Sequence, residues 1–239
     1  MACAPPLPRI PLIEDLTKTP LPAGYNVLVE YDPTSQWFAA SVTIAAGWIK
    51  TGGSTAYITG AQPPDRIRSR LQRLGLSVEE LEQAGKLAFF DYYSASLGQK
   101  SKERGSTDTL KVADLSIEFA KDLKVPEAWQ DELRIWDNGS VLARFNDEKA
   151  WVEFELTRLM PRAMAFQSTR IMGLTKGVHS DWAYRQLELA AEGVIEFKLD
   201  ETSDPPRNLL RIKSLRDVGF DGRWHQIEAS ENFEITLKQ

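Results

Sequence analysis

Residues 25–50 constrain the fold of this chain more than any other stretch. Tyr25–Glu30 (YNVLVE) reads as a buried strand, and Trp37–Lys50 (WFAASVTIAAGWIK) as a helix apolar nearly all round. A helix of that kind must be covered on both sides. Strand, short loop and buried helix in that order form the context a phosphate-binding loop requires. The loop between them, Tyr31-Asp32-Pro33-Thr34-Ser35-Gln36-Trp37, contains no glycine and no lysine. A phosphate cradle needs glycines so that successive backbone N–H groups can turn inward, and a lysine to reach the terminal phosphates. Pro33 removes one N–H outright. Trp37 puts a large ring where a small hydroxyl would hold magnesium.

Composition sets the outer bounds. At 239 residues, with 42% apolar and 26% charged side chains, the chain suits one α/β domain with a full core. Its net charge of −5 gives no broad electrostatic reason to bind nucleic acid or an acidic membrane. No apolar run approaches the roughly 20 residues that cross a bilayer. The start, Met1-Ala2-Cys3-Ala4-Pro5-Pro6, lacks the pattern of a signal peptide. The single cysteine, Cys3, has no internal partner, so a reducing cytoplasm is the expected location. Two histidines, His179 and His225, and no cysteine cluster argue against a structural zinc site.

Along the chain, residues 1–24 are punctuated by prolines and are expected to wrap a single domain over residues 25–239 as an N-terminal extension. Thr55–Thr59 reads as a second strand, and Pro63-Pro64-Asp65 opens a helix to about Leu74 that carries Arg66, Arg68, Arg70 and Arg73. Such a run is ordinarily a solvated face, with an anion or partner surface as the sharper alternative. Ser77-Val78-Glu79-Glu80 is a capping-box pattern opening a short helix that Gly85 ends. Lys86–Tyr92 reads as a strand, Ser94–Thr109 as a mobile loop carrying Lys100, Lys102 and Arg104, and Leu110–Leu123 as a helix. Leu133–Trp136 reads as a strand ending in Asp137-Asn138-Gly139-Ser140. Asn146-Asp147-Glu148 caps a helix to about Met160 that Pro161 stops, and Ala163–Gln167 reads as a short strand. Ser180 caps Asp181–Glu192, which Gly193 closes. Val194–Leu199, Leu209–Leu215, Trp224–Ala229 and Phe233–Leu237 alternate as successive strands. β and α alternating early, then a late meander, argue a mostly parallel sheet covered by helices, with an antiparallel flank.

This order resembles the RecA-like ATPases, and within them the KaiC-like branch, from about residue 8 to the end. The resemblance is carried by Ile10–Leu16 with Pro20–Gly24, by Pro64–Gly75, by Gly85–Asp91 and by Gly177–Ser180 with Gly193–Glu196. Leu133–Ser140 is similar to the family's Walker B strand, which implies Asp137 as its acidic residue. Leu210–Asp217 is similar to the segment that faces a neighbour's nucleotide in hexamers, which implies Lys213 and Arg216 as interface residues. In the family, a pair of glutamates after the second strand activates the attacking water. The matching stretch here, Gly60-Ala61-Gln62-Pro63, has no carboxylate, so Ala61 and Gln62 mark a lost general base.

Loss of both cradle and base implies a catalytically inactive KaiC/RecA-like module, a pseudo-ATPase with no cofactor and no metal. Its expected role is to bind a protein or peptide in signalling or assembly, and homo-oligomers are open to it. Two alternatives stand beside this. One is a nucleotide-binding ATPase or phosphotransferase with a remodelled site, in which Lys50, Lys176 or Arg170 replaces the missing lysine. The other is a DNA-binding relative, favoured only by the Arg66–Arg73 helix and the Lys100–Arg104 loop. Asp137 is expected to cap its own turn or bond the loop rather than hold magnesium, which normally shares its ligands with substrate phosphates. His179 and His225 are candidate general bases without a strand–turn–helix serine beside them, which favours structural roles. Trp37, Trp48, Trp136 and Trp151 are expected in the core, while Trp182 and Trp224 are candidate partner anchors.

Overall fold

The computed structural model describes residues 9–103, 105–121 and 132–238. In chain order it contains β1 (Asn26–Tyr31), α1 (Trp37–Lys50), β2 (Thr55–Thr59), α2 (Pro64–Arg73), α3 (Val78–Gln83), β3 (Leu87–Asp91) and α4 (Tyr92–Ser96). Then follow α5 (Val112–Lys121), β4 (Leu133–Trp136), α6 (Ser140–Ala143), α7 (Glu148–Phe154), a π turn over Glu155–Leu159, α8 (Met160–Ala165) and β5 (Thr169–Thr175). The chain ends with α9 (Asp181–Ala190), β6 (Gly193–Asp200), β7 (Arg207–Leu215), β8 (His225–Ala229) and β9 (Ile235–Leu237). The strands form one sheet in the order β3-β2-β4-β5-β1-β6-β7-β8-β9. Pairing is parallel from β3 to β6 and antiparallel from β6 to β9. This is the mostly parallel sheet with an antiparallel C-terminal extension that the sequence pattern predicts.

The central strands β1 and β5 are buried on both faces, as expected inside a parallel sheet, whereas the edge strand β3 alternates buried and half-buried residues. Val27 and Val29 point into one core cluster, and Leu28, between them, into the other. Ile135 and Trp136, and Ile171 and Met172, divide in the same way. The first cluster is covered by α1, α2 and the segment before β1, whose Ile10, Leu12, Ile13 and Leu16 are buried. That segment is held by the buried Glu14 carboxylate, which accepts the N–H groups of Ile10 (2.8 Å) and Leu21 (2.7 Å). The second cluster is covered by α5, α7, α8 and α9. Helix α1 is apolar all round because it lies between the sheet and other chain segments, with Thr43 accepting the Ile235 N–H at 3.0 Å.

Several boundaries depart from the sequence reading. Pro161 does not stop a helix: α7 continues through the π turn into α8, and Pro161 falls in the first turn of α8. A proline is accommodated there because the π turn before it already interrupts the regular i to i−4 ladder. Residues 163–167 are accordingly helix end and turn, closed by Gln167 in the left-handed region (φ +52°), and the strand is β5, two residues further on. β5 escapes a periodicity search because it is buried on both faces and interrupted by Arg170 and Gly173. Ser77 precedes α3 but makes no capping hydrogen bond. The expected mobile loop begins with α4, and its polar residues are tied back. Ser101 donates to Asp91 at 2.7 Å, and Glu103 pairs with Arg68 at 2.8 Å. Arg104 and the expected end of the α5 helix at Leu123 lie outside the described residues.

The π turn brings Glu155 against Arg170 of β5, 2.8 Å apart, with side chains 0% and 6% exposed. Burial pushes the Glu155 carboxyl up, and Arg170 opposes this. Removing one member strands the other: Arg170→Met is expected to cost about 3–5 kcal/mol in denaturant melts. The double variant Glu155→Leu/Arg170→Met should recover most of that loss.

Candidate functional site

Strands β1, β2, β4 and β5 end together, and the loops leaving them form the edge where open α/β sheets bind ligands. The β1–α1 loop is closed on itself. The Asp32 N–H donates to Phe197 O at 3.0 Å, and the Ser35 N–H to Asp32 O at 2.9 Å. The Ser35 hydroxyl also donates to Asp32 O, at 2.7 Å. Pro33 has no N–H. Residues 32, 33 and 35 therefore offer no backbone donor to an anion. At the loop's end the Trp37 ring turns into the core, 1% exposed, between Tyr31 and Phe197. Its indole N–H donates to the Asp137 carbonyl at 2.7 Å. This contact requires Gly173 on β5, where an added Cβ would lie 2.3 Å from the indole nitrogen. Tyr31 accepts from the Thr175 hydroxyl at 2.8 Å, and burial pushes its phenol up to about 12.

Asp137 follows β4 and is buried, 1% exposed. One carboxylate oxygen accepts the N–H groups of Gly60 (2.6 Å) and Ala61 (3.1 Å). Of Ala61 and Gln62, Asp137 holds only Ala61. Burial pushes the Asp137 carboxyl up to about 7, and the backbone donors oppose that rise without cancelling it. Gln62 accepts from Arg66 at 3.0 Å at the surface.

The candidate cations lie in different places. Lys213 pairs with Glu188 and, at 3.4 Å, with Glu30, whose carboxyl burial pushes up to about 7. Arg216 donates to Leu189 O at the end of α9. Both make these contacts within the chain while keeping exposed surface. Lys176 lies beside the β1–α1 loop, 3.8 Å from Asp32 and 3.2 Å from Glu196. Arg170 is buried against Glu155, and Lys50 is exposed at the far end of α1. On α2, Arg68 is ion-paired to Glu82 and Glu103 and lies over Phe89, and Arg70 lies over Phe38. Trp136 and Trp151 are buried and Trp48 is half-buried, its indole donating to Ser54 O at 2.9 Å. Trp182 is exposed, while Trp224 is half-buried under Lys198 and Arg211.

Sequence reasoning missed one constellation. It found no serine to accompany His179, yet Ser140 stands at the strand–turn–helix junction after β4. Its Oγ lies 2.7 Å from His179 Nε2. On the ring's other side, Glu148 Oε1 lies 3.5 Å from Nδ1. The imidazole stacks on Trp151, with ring centres 4.6 Å apart, and meets the edge of Tyr184. Ser140 and His179 line a cleft of about 330 Å³ together with Asn138, Arg144 and Glu148. The one signal in the sequence was the serine placed directly after Asn138-Gly139; the 39 residues to His179 hid the pairing. Among the described residues, no group of three or more His, Cys, Asp or Glu side chains is arranged to hold a metal. Among them, too, no helix is long and apolar enough to cross a membrane.

This sheet order, with its loops gathered at one edge, is the RecA-like architecture. A KaiC-like protein from the hyperthermophilic archaeon Pyrococcus horikoshii OT3 superimposes with a TM-score of 0.71 at 16% identity, covering 97% of both chains. The flagellar accessory protein FlaH of Methanocaldococcus jannaschii does so with a TM-score of 0.73 at 14% identity, covering 98% of this chain and 100% of that one. The model of the KaiC ATPase family matches residues 10–237, and the chain belongs to that family. No curated protein sequence matches it.

Two measurements test this geometry. Gly173→Ala should cost about 1–3 kcal/mol, because the added methyl meets both the Trp37 indole and, at 2.5 Å, the Asp137 carbonyl oxygen, so a Trp37→Leu background should relieve only part of that penalty. Asp137 carries a raised carboxyl, so between about pH 4 and 7 the folded state retains a proton that the unfolded chain releases. Its contribution to stability therefore falls as pH rises through that window and is level above it. Asp137→Asn keeps an oxygen for Gly60 and Ala61, and should flatten that part of the stability profile relative to the unmodified chain.

Proposed function

We propose that this chain is a KaiC-type domain that has given up nucleotide chemistry and serves as a protein- or peptide-binding component in the cytoplasm. The observation that carries this is the state of the β1–α1 loop. Its N–H groups at 32 and 35 are spent on Phe197 and Asp32, position 33 has none, and the side chain at 37 is an indole buried against Asp137. Phosphoryl transfer needs positioning, a metal and cationic stabilisation together. Here the Walker A glycines and lysine are absent, and the Asp137 carboxylate is turned onto Gly60 and Ala61. A preference for a protein partner is supported by α9, where Trp182 and Leu189, seven residues apart on one face, are 42% and 71% exposed.

A second reading, a remodelled nucleotide site, is favoured by Lys176 alone, which brings an ammonium group to the edge of the loop. Thermal melts with millimolar ATP and magnesium separate the two. No shift and no phosphate release are expected. A shift of several degrees that disappears in Lys176→Ala would establish the second reading in place of the first.

A further inference from the structure

We propose that Ser140, His179 and Glu148 form a nucleophilic triad that hydrolyses small carboxylic esters in the cleft beside α6. The site lies on the loops after β4 and β5, beside the β1–α1 loop and joined to Tyr31 through Thr175. Its order of contacts is that of an acyl-transfer site: hydroxyl to imidazole nitrogen, and the opposite imidazole nitrogen to a carboxylate.

Each group is held in the state the chemistry needs. The Thr175 N–H donates to Ser140 Oγ at 3.2 Å, occupying one lone pair and leaving the hydroxyl proton to point at His179 Nε2, 2.7 Å away. The chemistry uses the tautomer with the ring proton on Nδ1, which faces Glu148 at 3.5 Å, a separation usual for such sites before substrate binds. Burial holds the imidazole below its ordinary range, against the pull of Glu148, so it is neutral and able to accept a proton at pH 7. Glu148 accepts from the Ser180 hydroxyl (2.5 Å) and N–H (3.0 Å), and these bonds hold its carboxyl below the usual range, hence ionised. Trp151 and Tyr184 fix the ring plane, so the imidazole cannot swing away from the hydroxyl. Gly139 brings the serine close to β5, since a Cβ there would lie 2.5 Å from Met172 Sδ.

Ser140 is 6% exposed and the His179 side chain 3%, so the pair forms part of the wall of a cleft of about 330 Å³, large enough for a short acyl group and its alcohol. In the first step Ser140 Oγ adds to the ester carbonyl while its proton passes to His179 Nε2. Collapse of the tetrahedral intermediate breaks the bond to the alcohol oxygen, which leaves with that proton, and the acyl group stays as an ester on Oγ. Water then attacks this ester, giving a proton to Nε2, and the carboxylic acid departs as the proton returns to Oγ. Asn138 and Arg144 also line the cleft.

The test uses the full chain with a fluorophosphonate probe and with p-nitrophenyl acetate, with thermal melts to verify folding. Peptide mapping should find the phosphonyl adduct on Ser140, absent in Ser140→Ala, and ester turnover should fall to background in that variant. His179→Gln should slow labelling about 100-fold or more, the usual contribution of a general base. If that variant fails to fold, Glu148→Gln at the cleft rim makes the same comparison, with labelling slowed about tenfold. The proposal is overturned by any of three results with folded protein. These are no adduct on Ser140, labelling at an unchanged rate in the His179 or Glu148 variant, or turnover no greater than in Ser140→Ala. None of these outcomes depends on whether ATP is bound.

Discussion

The junction of Trp37, Asp137 and Gly173 ties the functional edge of this domain together. The indole donates to the Asp137 carbonyl, the Asp137 carboxylate holds Gly60 and Ala61, and the bare backbone of Gly173 leaves room for the ring. These bonds join the ends of β1, β2, β4 and β5 at one point. In a nucleotide-binding domain that edge must stay open, so that phosphates can enter among unsatisfied backbone donors. Here it is filled by the protein's own groups. The Trp37 indole and one Asp137 carboxylate oxygen are paired within the chain, while the other Asp137 carboxylate oxygen is buried with no hydrogen-bond partner among the described residues, and buried pairings of this kind are costly to undo.

Closing the edge carries a cost of its own. Asp137 is buried with only neutral donors around one oxygen, which is why its carboxyl is pushed up to about 7. Glu132 is likewise pushed up to about 7 by burial, in spite of Arg134 beside it, and Glu155 rises at the π turn. The domain thus holds several acidic groups whose charged forms are penalised, each near a strand end or a helix irregularity. A neighbouring region of the same edge solves the problem differently. Around His179 the acid is near the surface and ionised, while the imidazole is enclosed and neutral, so the charge stays where water can reach it.

Much of the fold is legible in local sequence. Trp37–Lys50 and Thr55–Thr59 match their elements residue for residue, and Asp147 and Ser180 cap their helices as their positions imply. The failures have a common cause. β5 lies at the centre of the sheet, and its burial on both faces erases the alternation that marks an ordinary strand. Pro161 reads as a helix stop because local rules assume a regular i to i−4 ladder, and the π turn before it changes that register. Ser140 and His179 each look unremarkable in sequence. Only the parallel pairing of β4 with β5 brings the loops behind them together.

The sequence by itself determined that this chain folds as a mostly parallel α/β domain of the KaiC type, because alternating buried strands and amphipathic or buried helices leave few other ways to hide the apolar residues. It also determined that the loop after β1 has no glycine and no lysine. Tertiary structure alone decided that Trp37 fills the space beneath that loop, that Asp137 grips the backbone at positions 60 and 61, and that a serine, a histidine and a glutamate meet in a second cleft. Those outcomes rest on contacts between residues 39 to 100 positions apart. Such contacts form only when the sheet sets its strands side by side, and no local pattern in the chain encodes them.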